Sequence, residues 1–158
     1  MFYIVIGQSG AGKTTFVKKN LLKEPYTLGA DIVPLTFDAQ GRIALGKYGI
    51  GKRTEGTDTL PYNAKENIKK QLKALRGKTV VLEGDRINNK EIFDYILRLG
   101  ESAKLYLVQC SLSTSMRRLR AAGSTITPTF VKTTKTKSKN MFLRYASRMN
   151  GELINTDE

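Results

Sequence analysis

The sequence predicts an α/β protein built on a mainly parallel sheet, and three observations lead there. Apolar runs at residues 2–6, 79–83 and 105–110 have the unbroken character of strands covered on both faces. Segments of helical spacing separate these runs, so the chain reads as successive strand–helix–strand units in a three-layer sandwich. With 158 residues and 40% hydrophobic content, there is material for one domain, taken as residues 1–158, with a buried core.

Each element has its own justification. The run Phe2-Tyr3-Ile4-Val5-Ile6 stops at Gly7, and a helix is expected over 13–23, with Phe16, Val17 and Leu21 on one face and Pro25 ending it. Residues 32–37 and 42–48 flank the turn string Asp38-Ala39-Gln40-Gly41, which predicts a β-hairpin inserted into the α/β order. Residues 46–61 follow as a long loop in which Gly46, Gly49, Gly51 and Gly56 alternate with Lys47, Lys52 and Arg53. A loop of that length marks a functional segment, and with the hairpin it defines a substrate region at about 30–62.

Asn63 with Glu66 predicts a capping-box start for a helix carrying Ala64, Ile68, Leu72 and Leu75, closed by Gly77. Asn89 caps the next helix, expected over 90–99 and closed by Gly100. Beyond the third strand come a basic helix near 113–122, a Thr/Lys-rich stretch, a helix at 140–149 and a short last strand at 152–155.

Composition narrows the chemistry. With no histidine and one cysteine, the chain has no Cys/His zinc site, no Ser/His/Asp triad and no internal disulfide. Cys110, in an apolar stretch, reads as a core residue. The net charge of +13 makes a polyanion, nucleic acid first, the expected partner. Nothing in the sequence points to a protein partner. The first apolar run lacks a basic leader and is too short to span a bilayer, so the expected location is cytoplasmic, away from membranes.

Gly7-Gln8-Ser9-Gly10-Ala11-Gly12-Lys13-Thr14 matches the P-loop pattern G-x-x-x-x-G-K-[ST], set between a strand and a helix as the motif requires. Such glycines let backbone N–H groups converge on phosphates at the positive end of a helix. ATP and Mg²⁺ are the expected cofactors. The loop from Gly7 through Thr14, with Thr15 just beyond, is expected to hold the nucleotide; Lys13 reaches the β- and γ-phosphates, and Thr14 offers a hydroxyl to the metal. Val80-Val81-Leu82-Glu83 resembles a Walker-B strand whose terminal carboxylate, Glu83, stands by the metal. A guanine-reading N-K-x-D segment is missing, since Asn88-Asn89-Lys90-Glu91 lacks the Asp, so a GTPase is disfavoured.

Residues 102–151 contain no Asp or Glu but hold a run of Lys and Arg. Arg117, Arg118 and Arg120 stand where the lids of small P-loop kinases carry phosphoryl-clamping arginines; Arg118 is expected at the transferring group, with Arg117 and Arg120 on the nucleotide. The lid region spans about 113–140. Lys132, Lys135, Lys137 and Lys139, interleaved with Thr133, Thr134, Thr136 and Ser138, offer charge and hydroxyl donors to a phosphate backbone. A solvated basic loop is the plain alternative.

Without histidine, a hydroxyl acceptor would lose its proton to a carboxylate. Asp58 and Asp85 are the leading candidates, and Asp31 a lesser one. Their ordinary roles are backbone bonding in Gly56-Thr57-Asp58-Thr59, pairing of Asp85 with Arg86, and a hairpin start for Asp31.

The P-loop, then Leu45-Gly46-Lys47-Tyr48, Gly56-Thr57-Asp58-Thr59-Leu60 and Leu82-Glu83-Gly84-Asp85-Arg86 in that order, resemble the bacteriophage 5-hydroxymethyluracil DNA kinases. The likeness runs from Met1 to about Tyr145, with residues 132–140 similar to their basic lid; Thr133 and Thr134 stand where a glycine and an arginine are expected. The resemblance implies ATP-dependent phosphorylation of the 5-hydroxymethyl group of 5-hydroxymethyluracil in DNA, a step in thymidine hypermodification. The residues expected to meet DNA are Lys47, Tyr48, Lys52, Arg53, Arg86, Lys132, Lys135, Lys137 and Lys139. A kinase of a mononucleotide or other small hydroxyl compound, and a nucleic-acid-binding ATP switch, are the alternatives.

Overall fold

A computed structural model describes residues 1–51 and 54–157. Lys52 and Arg53 therefore lie outside the described residues. One seven-stranded sheet runs in the order β2-β3-β4-β5-β1-β6-β7. Its strands are β1 (Phe2–Gly7), β2 (Thr27–Ala30), β3 (Pro34–Phe37), β4 (Ile43–Leu45), β5 (Val80–Glu83), β6 (Ala103–Gln109) and β7 (Glu152–Asn155). Neighbours from β4 to β7 pair in parallel, and β2, β3 and β4 pair antiparallel. The helices are α1 (Lys13–Asn20), α2 (Lys65–Ala74), α3 (Lys90–Arg98), α4 (Leu112–Ala121) and α5 (Pro128–Tyr145).

Alternation along β1 explains the three layers. Phe2, Ile4 and Ile6 point into a core shared with Ile68 and Leu72 of α2, Ile92, Phe93 and Ile96 of α3, and Tyr145 of α5. Val5 faces the opposite way, onto Val17 of α1 with Val81 and Val108. Phe93 and Tyr145 meet edge to face at 5.0 Å, a contact of roughly 0.5–1.5 kcal/mol that fastens the end of α5 to α3. The chain leaves β1 between β5 and β6, where the direction of strand succession reverses; that is where α/β sheets open their binding crevice.

Several expectations needed correction. The hairpin itself forms, β3 pairing antiparallel with β4, and β4 pairs in parallel with β5, so the hairpin widens the sheet. Its strands are shorter than read, and β2, missed in the sequence, pairs along β3 with every residue exposed, so no apolar pattern announces it. Helix α1 stops at Asn20, because the buried Asp38 carboxylate takes the Lys23 amide at 2.9 Å and draws the chain aside. The Asn63–Glu66 capping box does not form; α2 begins after Ala64 without a side-chain cap, and Glu66 pairs with Lys69. Asn89 does cap α3, accepting from the Ile92 amide at 3.0 Å. The Thr/Lys-rich stretch and the last helix are one helix, α5, started by Thr127 as cap and Pro128 in its first turn. Only Val131, Ser138 and Tyr145 are fully buried along it, too sparse a stripe to stand out among threonines and lysines.

Candidate active site

Between β1 and α1 the chain turns through the glycine loop. Gly10 has φ +77, and a Cβ there would sit 2.8 Å from the Ser115 carbonyl, so only glycine lets α4 approach this closely. Gln8 is buried and fastens the loop from below, its amide donating to the Cys110 carbonyl at 2.7 Å and to Ser115 Oγ at 3.1 Å. Lys13 Nζ folds onto the Gly7 and Gln8 carbonyls at 3.0 and 2.9 Å. Helix α1 opens on Gly12 with no side-chain cap, leaving its first amides to a phosphate. A cavity of about 420 Å³ beside the loop is lined by Gly12, Lys13, Thr14, Thr15 and Arg118.

Behind the loop, β5 delivers Glu83, only 2% exposed. Thr14 Oγ1 donates to its two carboxylate oxygens at 3.1 and 3.2 Å, and the Tyr48 hydroxyl donates at 2.7 Å. Burial pushes the Glu83 carboxyl up to about 7, against the opposing pull of the Tyr48 hydrogen bond and the Lys13 charge. Burial likewise lowers Lys13, while Glu83, Asp58 and Asp85, in that order, draw it back up. A buried carboxylate short of compensating charge, beside a hydroxyl, is an oxygen donor set suited to a hard divalent cation. Among the described residues no group of three or more His, Cys, Asp or Glu is arranged to hold a metal by itself, so Mg²⁺ here would depend on nucleotide phosphates for much of its shell.

Two of the three candidate bases come together at the end of β5. Asp58 lies on a 3-10 turn, Thr57–Thr59, which Thr57 ties to β5 by donating to the Glu83 carbonyl at 2.7 Å. Asp58 Oδ1 accepts from the Asp85 amide at 2.8 Å. Gly84 makes this approach possible: at φ +129, a Cβ would stand 2.9 Å from that same oxygen. Asp85 Oδ1 meets Lys137 Nζ at 3.1 Å, joining α5 to the rim. Asp31 is held elsewhere, accepting from Gln71 of α2 at 3.1 Å.

The basic residues divide. Lys47, Lys132, Lys137 and Lys139 are exposed, as is Arg117. Lys135 instead donates to the Cys110 carbonyl at 2.9 Å, and Thr134 Oγ1 accepts from the Ser9 amide at 3.3 Å, so α5 is laid directly on the phosphate loop. Tyr48, expected to meet DNA, is 1% exposed and serves Glu83. Arg118, expected as a free phosphoryl clamp, spends its guanidinium on the Gly10 and Ala11 carbonyls and on Thr156. Arg120 closes the turn after α4 by donating to the Ser124 and Ile126 carbonyls. Arg86 donates to the Leu60 carbonyl at 3.1 Å and lies 3.8 Å from Asp58 Oδ1. Nothing in the sequence sets Thr134 apart as a loop contact, and the exposed Tyr62 is marked there only as an aromatic just beyond the glycine-rich loop.

Fold and loop together give a mainly parallel α/β sheet with a glycine loop of the P-loop sequence pattern between β1 and α1. No protein-family model matches the chain, and no curated protein matches it. Among solved structures it is similar to a deoxyadenosine kinase from M. mycoides with bound dCTP, at TM-score 0.49 and 12% identity over 98% of this chain and 90% of that one. The same enzyme with bound dATP gives TM-score 0.49 and 13% identity over 98% and 91%. Among the described residues no helix is long and apolar enough to cross a membrane.

Proposed function

We propose that the protein is an ATP-dependent phosphotransferase acting on a hydroxyl carried by DNA, the 5-hydroxymethyl group of 5-hydroxymethyluracil. The observation that carries this reading is the meeting of Asp58 and Asp85 with Lys13, Thr14 and Glu83 at one end of the sheet, beside an α5 on which Lys132, Lys137 and Lys139 are exposed.

Roles follow from position. Lys13 leaves the Gly7 and Gln8 carbonyls for the γ-phosphate oxygens, and the loop amides hold the β-phosphate. Thr14 and Glu83 would hold Mg²⁺, which when bound supplies charge neutralisation across the phosphate oxygens. Asp58, held at the end of β5 by the Asp85 amide while the Asp85 carboxylate is paired with Lys137, accepts the proton of the attacking hydroxyl. The acceptor oxygen forms its bond to the γ-phosphorus as the bond to the bridging oxygen breaks, and ADP leaves with the electron pair. Arg118 holds the P-loop carbonyls in place, a positioning role. The lysines of α5 attract the phosphate backbone, as the +13 charge favours.

The test is transfer of label from γ-labelled ATP to DNA containing thymine, 5-hydroxymethyluracil or 5-hydroxymethylcytosine, alongside free nucleosides and nucleotides. Label on hydroxymethyluracil DNA alone supports the reading. Label on free nucleosides or nucleotides makes the protein a small-molecule kinase, and hydrolysis without transfer makes it an ATP switch.

A further inference from the structure

We infer that Tyr62 and Arg86 form a stacking platform for an unpaired nucleobase of the acceptor strand, which rests on the DNA-kinase reading above. Tyr62 is 89% exposed, the most exposed of the large hydrophobic side chains among the described residues. The Tyr62 ring is stacked by Arg86, whose guanidinium carbon lies 3.8 Å from the ring centroid, closer than any other cation–ring pair among the described residues. Stacking on a guanidinium stiffens the ring and leaves the remainder open to a ligand.

The platform is built into the catalytic end. Arg86 reaches Leu60 at 3.1 Å through Nε and Asp58 at 3.8 Å through Nη1, so one side chain ties the Tyr62 segment to the proposed proton acceptor. Tyr62, Lys65, Ile68, Asp85 and Arg86 border a cavity of about 160 Å³. Asp85 is in turn paired with Lys137, so the cavity adjoins the lysine-bearing face of α5. A flat ring over a cation, beside a basic helix, is what binds single-stranded nucleic acid: bases stack while the cations follow the backbone. A paired base keeps both its faces inside the duplex stack, so the platform selects a base that is single-stranded or turned out of the helix.

The test is fluorescence anisotropy with labelled oligothymidylate, single-stranded and annealed to its complement, on wild type, Tyr62→Ala and Tyr62→Phe. ATP affinity is measured on each variant as the check of an intact fold. Removing one stacking base contact weakens binding by about 5- to 150-fold. The expected result is that loss for the single strand in Tyr62→Ala, retention in Tyr62→Phe, and little change for the duplex. Equal single-strand binding by Tyr62→Ala and wild type, equal losses on both forms of DNA, or a wild type that does not bind the single strand would each overturn the platform. Label transfer is followed separately: the stacking pattern without transfer to hydroxymethyluracil sinks the kinase reading alone, and transfer with an inert Tyr62 sinks the platform alone.

Discussion

Replacing Glu83 by Gln isolates the cost of keeping a buried carboxylate at the heart of the site. Its carboxyl is raised from 4.5 to about 7, which corresponds to about 3 kcal/mol at 1.36 kcal/mol per pH unit. A raised acid favours the fold while protonated: its stabilisation is complete below about 4.5 and is lost as pH rises through about 7. Glutamine has the same shape and no charge. Without ligand, Glu83→Gln should therefore gain about 3 kcal/mol relative to wild type between pH 4.5 and pH 8, equal to roughly 6–12 °C in Tm for a domain of this size. The comparison is made by urea and thermal unfolding of both proteins across that range. Taking the difference cancels groups shared by both, such as Asp38, Asp94 and Asp157, which lie below their usual range and lose stability toward acid. In wild type, MgATP affinity should fall by up to about tenfold per pH unit below 7, as Glu83 takes up its proton. Parallel stability curves for the two proteins would refute the burial of an undercompensated carboxylate at the end of β5.

Three further outcomes follow from the geometry. Thr134→Val frees the Ser9 amide, so ATP affinity by calorimetry should rise by about 2- to 10-fold, the worth of one hydrogen bond; a weaker affinity would mean that Thr134 assists the phosphate. Neutralising Lys132, Lys137 and Lys139 together should reduce the log–log salt slope of duplex binding by about 2–3, and an unchanged slope would move the DNA off α5. Asp58→Asn should cut transfer by about two to four orders of magnitude with ATP binding retained, whereas Asp85→Asn should cost less; the reverse order of rates would exchange their roles.

How much of this was legible in the sequence depended on where each signal resides. The phosphate loop could be read because its chemistry is backbone chemistry, fixed by glycine spacing and by one lysine. The strands β1, β5 and β6 announced themselves by burial on both faces, whereas β2, exposed throughout, depends on pairing with β3 that local sequence does not encode. Asp58 and Asp85 could be named as carboxylates in loops, yet their meeting depends on the approach of the 3-10 turn to Gly84 across a long stretch of chain. Charge alone did not reveal that Arg118, Arg120 and Lys135 donate to backbone carbonyls, because sequence does not say which carbonyls are near. Tyr48 was misread for a similar reason: a tyrosine beside Lys47 in a glycine-rich segment resembles a surface contact, but its hydroxyl is the partner of a buried carboxylate 35 positions away.

The most direct measurement is the position of the transferred phosphate. Hydroxymethyluracil DNA is incubated with ATP and Mg²⁺, digested to nucleosides without phosphatase action on the new ester, and analysed by mass spectrometry, with Lys13→Ala as the parallel reaction. The account predicts a phosphomonoester on the 5-hydroxymethyl group with wild type and none with Lys13→Ala, whose fold should persist because the side chain serves phosphate charge rather than core packing. Phosphate confined to a strand terminus, or an unmodified base after ATP has been consumed, would contradict it.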